Sequence, residues 1–246
     1  MQLTVYTGAV VDKTCAGRRS ENFLDVKKKR GELAYALRGP TNFDAEIRHP
    51  LLAVFPPAGM DARQSEQFAK LTAPATARGF LLLYPGHERL SLTHIDQLAA
   101  LVEKTVADWC IDEARIFFTG HSDGGTVAHV LAQRADWAIK VRAIAASAAG
   151  IAAQGLQDLG CNKQLDVMVM HNADDKLFPG FGRDAANWWH QCNQCSERVD
   201  RTGDGCETFQ ECQNETRVSY CESTGGHRRW GQDREQILSF LQGKSH

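Results

Sequence analysis

Runs of consecutive apolar residues recur along the chain, and several end at a turn-forming residue. Residues 51–55 are all apolar and stop at Pro56, and residues 80–84 are all apolar and stop at Pro85. Further strand-like runs occupy residues 116–118, 141–147 and 165–170. A run that is apolar at every position is typical of a strand buried on both faces of a parallel sheet.

Helical patterns separate these runs. Between residues 92 and 109 the apolar residues recur at three- and four-residue steps, which gives a helix one apolar face. Residues 62–78, 126–134 and 234–241 are predicted as further helices. This alternation predicts an α/β fold, with a mostly parallel central sheet and helices on both faces. In such a sheet, reactive groups gather at the carboxyl ends of the strands.

The two ends of the chain show weaker patterns. Residues 1–31 predict an edge strand followed by a loop, residues 33–38 a short strand, and residues 216–221 the last strand of the sheet. Residues 192–221 are largely polar and rich in cysteine. They are interpreted as an insertion in a single domain that spans residues 1–246, rather than as a second domain.

Composition and charge exclude several classes of function. The chain has 246 residues, 43% of them hydrophobic, and a net charge of −2. A nucleic-acid partner is not expected, because binding phosphates normally requires a pronounced basic field. The basic run at residues 27–30 is read as a solvated face, with a localisation or phosphate-binding patch as the alternative. No run of 18 apolar residues predicts a membrane span, and residues 1–25 lack an apolar signal core.

The eight cysteines are unevenly distributed, with five of them between residues 192 and 221. Cys192 and Cys195 have the spacing of half a zinc site, but no second close pair follows. Disulfides are therefore the favoured interpretation, with zinc or free thiols as alternatives. Disulfides favour an oxidising compartment, so a secreted or periplasmic protein is expected.

The segment Gly120-His121-Ser122-Asp123-Gly124 joins an apolar strand to a helical run. A serine on a sharp strand-to-helix turn has a strained backbone and needs small neighbours, which the two glycines provide. Ser122 is therefore the candidate nucleophile of a hydrolase. The alternative is a serine that only shapes the turn.

A serine hydroxyl needs a base to remove its proton, and the base needs a carboxylate to orient it. Of nine histidines, His227 is the favoured base, because it follows the last predicted strand on a glycine-rich loop. His171 precedes the available acids and is read as structural. His121 is interpreted as shaping the turn and His129 as lying on the following helix.

The acid is expected on the loop after residues 165–170, where Asp174 and Asp175 are adjacent. The residues alone do not decide between these two. An oxyanion also needs two N–H donors. The N–H of Asp123, directly after the nucleophile, is one candidate. Ala58 is the other, because it is the first residue after Pro56-Pro57 that has an N–H to donate.

Four segments together resemble the polyhydroxybutyrate depolymerase and feruloyl esterase-like branch of the α/β-hydrolases. They are residues 120–125, 171–179, 188–192 and 225–230. The resemblance implies the α/β-hydrolase fold and, by its position before Pro179, selects Asp175 as the acid. It also implies an extracellular or periplasmic ester hydrolase that uses no metal and no organic cofactor.

The chain departs from this family near the predicted site. Pro56-Pro57 stands where family members usually have His-Gly, and Arg228-Arg229 follows the base where the family is often less charged. Arg228 is a candidate for attracting acidic substrates, with simple solvation as the alternative. Trp188 and Trp230 are candidates for the floor of a substrate cleft, with core packing as the alternative.

The favoured function is a secreted serine esterase that forms an acyl-enzyme on carboxylic esters. Feruloyl, acetyl or short polyester groups are the expected substrates, small or polymeric. Peptidase or thioesterase activity is an alternative, since a triad does not choose the leaving group. A second alternative is a non-catalytic binding protein that makes its contacts through residues 192–221. The sequence predicts neither a membrane partner nor a particular oligomeric state.

Overall fold

A computed structural model describes residue 15, residues 23–26 and residues 32–243. Within these ranges, ten strands form one sheet in the order β1-β2-β4-β3-β5-β6-β7-β10-β9-β8. The strands are β1 (Phe23–Val26), β2 (Tyr35–Arg38), β3 (His49–Phe55), β4 (Leu81–Pro85), β5 (Ile111–His121), β6 (Val141–Ser147), β7 (Asp166–Asn172), β8 (Val199–Arg201), β9 (Cys206–Phe209) and β10 (Val218–Ser223).

The central strands of the sheet run parallel. From β4 through β3, β5, β6 and β7 to β10, each neighbouring pair is parallel. The pairs toward the two edges are antiparallel: β1 with β2 and β2 with β4 at one edge, and β10 with β9 and β9 with β8 at the other. Strands β3, β4 and β7 are buried at every position. For β3 and β4 this burial agrees with the continuous apolar runs at residues 51–55 and 80–84.

Helices cover both faces of the sheet, and the sheet separates two hydrophobic clusters. The helices are α1 (Ala62–Ala69), α2 (Thr72–Thr76), α3 (Leu92–Asp108), α4 (Asp123–Ala132), α5 (Ala153–Leu159), α6 (Phe181–Cys192) and α7 (Arg234–Leu241). Helices α3, α4, α5 and α6 contribute to one cluster, and α1, α2 and α7 to the other. The predicted sheet with helices on both faces is therefore confirmed.

Some boundaries differ from the sequence-based expectation. The helix expected over residues 62–78 is divided into α1 and α2, because Lys70 adopts a left-handed conformation with φ of 54° and ends α1. Helix α5 lies between the predicted strands at residues 141–147 and 165–170, where the sequence pattern indicates no helix. In the N-terminal region only β1 and residue 15 are described, so the remainder of the predicted strand and loop, and the basic run at residues 27–30, lie outside the described residues.

All eight cysteines are paired, which confirms disulfides and leaves no thiolate for a zinc site. The pairs are Cys15–Cys110, Cys161–Cys192, Cys195–Cys212 and Cys206–Cys221. Residues 192–221 also contain β8, β9 and the start of β10, so this segment extends the sheet at one edge. Within the described ranges, no helix combines the length and apolar character needed to cross a bilayer.

Candidate active site

The turn between β5 and α4 presents Ser122 in a strained backbone conformation, with φ of 57° and ψ of −119°. The turn is tight enough to require glycine on both sides. A Cβ on Gly120 would lie 2.4 Å from backbone atoms of Gly124, and a Cβ on Gly124 would lie 2.0 Å from the Phe55 carbonyl oxygen. The Ser122 N–H donates to the carbonyl of Ser147 at 2.9 Å, which fixes the turn to β6.

Three of the predicted residues form a continuous hydrogen-bonded chain. The Oγ of Ser122 lies 2.8 Å from Nε2 of His227, and Nδ1 of His227 lies 2.8 Å from Oδ2 of Asp175. Ser122 is 7% exposed and Asp175 3% exposed, so the chain of contacts is largely shielded from water. With Nδ1 of His227 protonated toward the carboxylate, Nε2 is free to accept the serine proton.

Asp175 follows β7, and the backbone of the next residues secures it. Its Oδ1 accepts the N–H groups of Leu177 at 2.9 Å and of Phe178 at 3.1 Å. Burial of the carboxyl group raises its pKa, but the hydrogen bonds from His227, Phe178 and Leu177 outweigh burial and hold the pKa below its ordinary value. Asp175 is therefore a carboxylate that faces His227 at neutral pH.

The adjacent Asp174 does not face His227, since the side chains of neighbouring residues on a short loop usually point in different directions. Its Oδ2 accepts the N–H of Gly225 at 3.1 Å, so it secures the loop that carries His227. His171 is buried beside Asp175, with its Nε2 3.7 Å from Oδ2 of that residue, and burial lowers the pKa of His171. His129 lies in the core on α4, where its Nδ1 accepts the indole N–H of Trp189 at 2.9 Å.

The two candidate oxyanion donors lie on elements that pack together. Asp123 is the first residue of α4, where N–H groups have no partner within the helix. Ala58 is exposed in the turn that is closed by the 3.3 Å hydrogen bond from the N–H of Met60 to the carbonyl of Pro57. The close approach of Gly124 to Phe55 brings this turn beside the start of α4.

His87 is a neighbour of the site that the sequence did not indicate. Its Nε2 lies 3.0 Å from Oδ2 of Asp123, and its own N–H donates to the carbonyl of Met60 at 3.0 Å. It therefore connects the loop after β4 to both candidate oxyanion segments. Nothing in the spacing of His87 predicts this contact, because it depends on how β4, β3 and β5 are arranged.

The three predicted substrate-binding residues have different surroundings. Trp230 is 5% exposed, and its ring centroid lies 5.8 Å from that of Phe68 and 5.9 Å from that of His121. Trp188 lies on α6 and meets Trp189 edge-on at 4.9 Å within the core packing. Arg228 is exposed directly after His227. Packing accounts for both tryptophans, and the substrate roles of all three residues stay predictions.

Two further residues on the acid loop lie at the edge of the site. Phe178 meets the ring of His227 edge-on, with ring centroids 5.1 Å apart. Leu177 is 61% exposed although it is a large apolar residue. Both residues belong to the segment 171–179, which is part of the family resemblance. The sequence therefore marks this segment, but it does not indicate that Phe178 and Leu177 lie near His227.

A cavity of about 430 Å³ lies at the opposite end of the central strands, with Ile116 and Val141 among its lining residues. None of the predicted site residues lines this cavity. In the part of the chain that the structure describes, no group of three or more His, Cys, Asp or Glu side chains is arranged to hold a metal ion.

Known proteins resemble this chain in sequence and in fold. The probable feruloyl esterase C of Aspergillus terreus is 32% identical over 138 residues, which cover 52% of this chain and 47% of that protein. The chain thus matches about half the length of this curated relative. No protein-family model matches the sequence.

Solved structures of low sequence identity share the fold over most of the chain. An acetyl xylan esterase from Aspergillus awamori superposes with a TM-score of 0.71 at 10% identity, covering 90% of this chain and 99% of that one. A fluorophosphonate-binding serine hydrolase of Staphylococcus aureus gives a TM-score of 0.60 at 12% identity, covering 89% and 98%. The chain therefore adopts the α/β-hydrolase fold and, over half of its length, is similar to the feruloyl esterase-like branch of these proteins.

Proposed function

We propose that this chain is a serine ester hydrolase that cleaves carboxylic esters through an acyl-enzyme. The observation that carries the proposal is the hydrogen-bonded chain from Ser122 through His227 to Asp175, with 2.8 Å at each step. Similarity to a probable feruloyl esterase supports an ester substrate, small or polymeric. The four disulfides support a secreted or periplasmic location.

In the acylation step, Oγ of Ser122 attacks the ester carbonyl carbon while Nε2 of His227 takes the hydroxyl proton. Asp175 stabilises the resulting imidazolium by accepting the Nδ1–H. The carbonyl oxygen becomes an oxyanion, for which the N–H groups of Ala58 and Asp123 are the proposed donors. When the tetrahedral intermediate collapses, the C–O bond breaks and His227 returns the proton to the leaving alcohol oxygen.

Deacylation repeats these steps with water in place of the serine. His227 takes a proton from the water molecule as the water oxygen attacks the acyl carbon. When the acyl–oxygen bond to Ser122 breaks, His227 returns that proton to Oγ of Ser122. The products are a carboxylic acid and the regenerated enzyme. These steps use only groups of the chain itself, water and the substrate.

A fluorophosphonate probe tests the nucleophile directly. We expect the wild type to be labelled once per chain, at Ser122, and Ser122→Ala to remain unlabelled. Initial rates on p-nitrophenyl acetate, methyl ferulate, a short polyester and a peptide anilide then separate esterase from peptidase activity. Full labelling of Ser122→Ala, or turnover of the anilide alone, would contradict the proposal.

A further inference from the structure

His121 connects the two reacting residues of the site through their backbones. It directly precedes Ser122, and its ring is buried at 2% exposure. Its Nε2 lies 2.6 Å from the carbonyl oxygen of His227, and its Nδ1 lies 2.9 Å from Oγ of Ser147. One imidazole thus joins the end of β5, the end of β6 and the loop that carries the base.

These contacts define which ring nitrogen of His121 carries the proton. A carbonyl oxygen can only accept, so Nε2 must donate its hydrogen to His227. Nδ1 then has a lone pair and accepts the hydroxyl hydrogen of Ser147. Burial lowers the pKa of His121 to about 4, which keeps this neutral tautomer in place at neutral pH.

The loop around His227 needs such an attachment, because Gly225 and Gly226 precede the base and give the backbone unusual freedom. The side-chain amide of Asn172 donates to the carbonyls of Gly226 at 3.0 Å and of Arg229 at 2.6 Å. Asn172, at the end of β7, therefore holds the loop on both sides of His227. His121, at the end of β5, holds the backbone of His227 itself.

Aromatic packing sets the plane of the His121 ring. The ring of Phe68 lies 5.2 Å from it and that of Trp230 lies 5.9 Å from it, centroid to centroid. The His227 ring also lies near it, with ring centroids 5.3 Å apart. Because these rings pack against the His121 ring, its Nε2–H has a fixed direction toward the His227 carbonyl.

We propose that His121 is a positioning residue for the hydrolysis described above, and that its Nε2–H holds the backbone of His227 where the base can reach Oγ of Ser122. This inference rests on the proposed function. The rate should be sensitive to the bond, since a displacement of about 1 Å in a catalytic group can cost about a hundredfold in rate.

Two substitutions at His121 separate the hydrogen bond from the packing. The amide of His121→Gln can place an N–H near the position of Nε2, whereas that of His121→Asn lies near Nδ1 and cannot reach His227. His129→Asn is a matched control, because His129 is also buried and neutral, but its Nδ1 accepts a hydrogen bond from Trp189 in the core.

We expect kcat for p-nitrophenyl acetate to fall about tenfold to a hundredfold in His121→Asn, with KM within about twofold of the wild type. His121→Gln should recover most of the loss. The rate of fluorophosphonate labelling should follow kcat in both variants. His129→Asn should lower the melting temperature and leave kcat near the wild-type value.

Nitrogen-15 NMR of the wild-type imidazoles provides a readout that does not depend on activity, and it should show His121 as the Nε2–H tautomer at pH 7. An Nδ1–H tautomer, or wild-type kcat in a folded His121→Asn protein, would overturn the positioning role alone. A wild type that neither cleaves esters nor reacts with the fluorophosphonate would overturn the proposed function and the positioning role together.

Discussion

Gly124 lies against the backbone of Phe55 so closely that a Cβ on it would be 2.0 Å from the Phe55 carbonyl oxygen and 3.0 Å from that of Pro56. The start of α4 and the end of β3 therefore approach each other without an intervening side chain. This contact places the turn that contains Ala58 beside the turn that contains Ser122. The geometry of the candidate oxyanion site depends on it.

Replacing Gly124 with alanine should separate these two segments. We expect Gly124→Ala to lower the free energy of unfolding by about 2 kcal/mol or more, because the backbone oxygens that it meets cannot rotate away. Urea unfolding measures this loss. Gly203→Ala is the control, since a Cβ there meets nothing within 4 Å, and it should change stability little. Equal stabilities of the two variants would show that the turn between β5 and α4 tolerates a side chain at residue 124.

The two adjacent aspartates should differ strongly in their effect on the rate. Asp175→Asn removes the carboxylate that stabilises His227, so we expect kcat to fall by about four orders of magnitude. Asp174→Asn weakens only the 3.1 Å hydrogen bond from the Gly225 N–H and should retain kcat within about tenfold. Steady-state kinetics on one ester measure both variants. The reverse order would assign the acid to Asp174.

Buried histidines should make the fold less stable in mild acid. Burial lowers the pKa of His121 and of His129 to about 4, from the ordinary value of 6.5. Between these two pH values the unfolded chain binds protons that the folded chain does not. Stability should therefore fall as the pH drops from 6.5 to 4, by about 1.4 kcal/mol per pH unit for each histidine.

Urea unfolding at several pH values measures this dependence. His129→Asn removes one of the buried histidines whose pKa is lowered, so the slope between pH 6.5 and 4 should be shallower than in the wild type. Above pH 7.5 both proteins should show the same slope. An unchanged slope below pH 6.5 would mean that His129 is protonated in the folded protein.

The exposed Arg228 should influence the choice of substrate by its charge. We expect Arg228→Gln to raise KM about two- to fivefold for an ester with a free carboxylate, and to leave KM for its neutral methyl analogue unchanged. The difference should shrink in high salt, since exposed charges are screened. Arg198→Gln, at an exposed arginine paired with Glu211, is the control. If Arg228→Gln changed KM equally for both esters, the proposed attraction of the substrate carboxylate by Arg228 would be contradicted.

The central fold was predictable because its strands carry their own signal. Strands β3 and β4 are apolar at nearly every position, so neither face could be solvated. Short polar strands lack such a signal. Cys206–Phe209 pairs with β10 and is linked to it by the Cys206–Cys221 disulfide, and Val199–Arg201 pairs in turn with Cys206–Phe209. No local sequence pattern predicts these contacts.

The candidate site was predictable only in part, for the same reason. Ser122 is marked by its flanking glycines, and the segment 171–179 carried the resemblance that selected Asp175. The contact of His121 with His227 joins residues 106 positions apart, and that of His87 with Asp123 joins residues 36 positions apart. Such contacts depend on the order of strands in the sheet, which a single sequence does not specify.

Trapping the acyl-enzyme tests the central claim most directly. The wild type should be mixed with p-nitrophenyl acetate, whose good leaving group favours accumulation of the intermediate, and quenched in acid during turnover. Mass spectrometry should then find one acetyl group per chain on the peptide that contains Ser122, and none in Ser122→Ala. Turnover with no acetylated peptide, or equal acetylation of Ser122→Ala, would contradict the proposed role of Ser122.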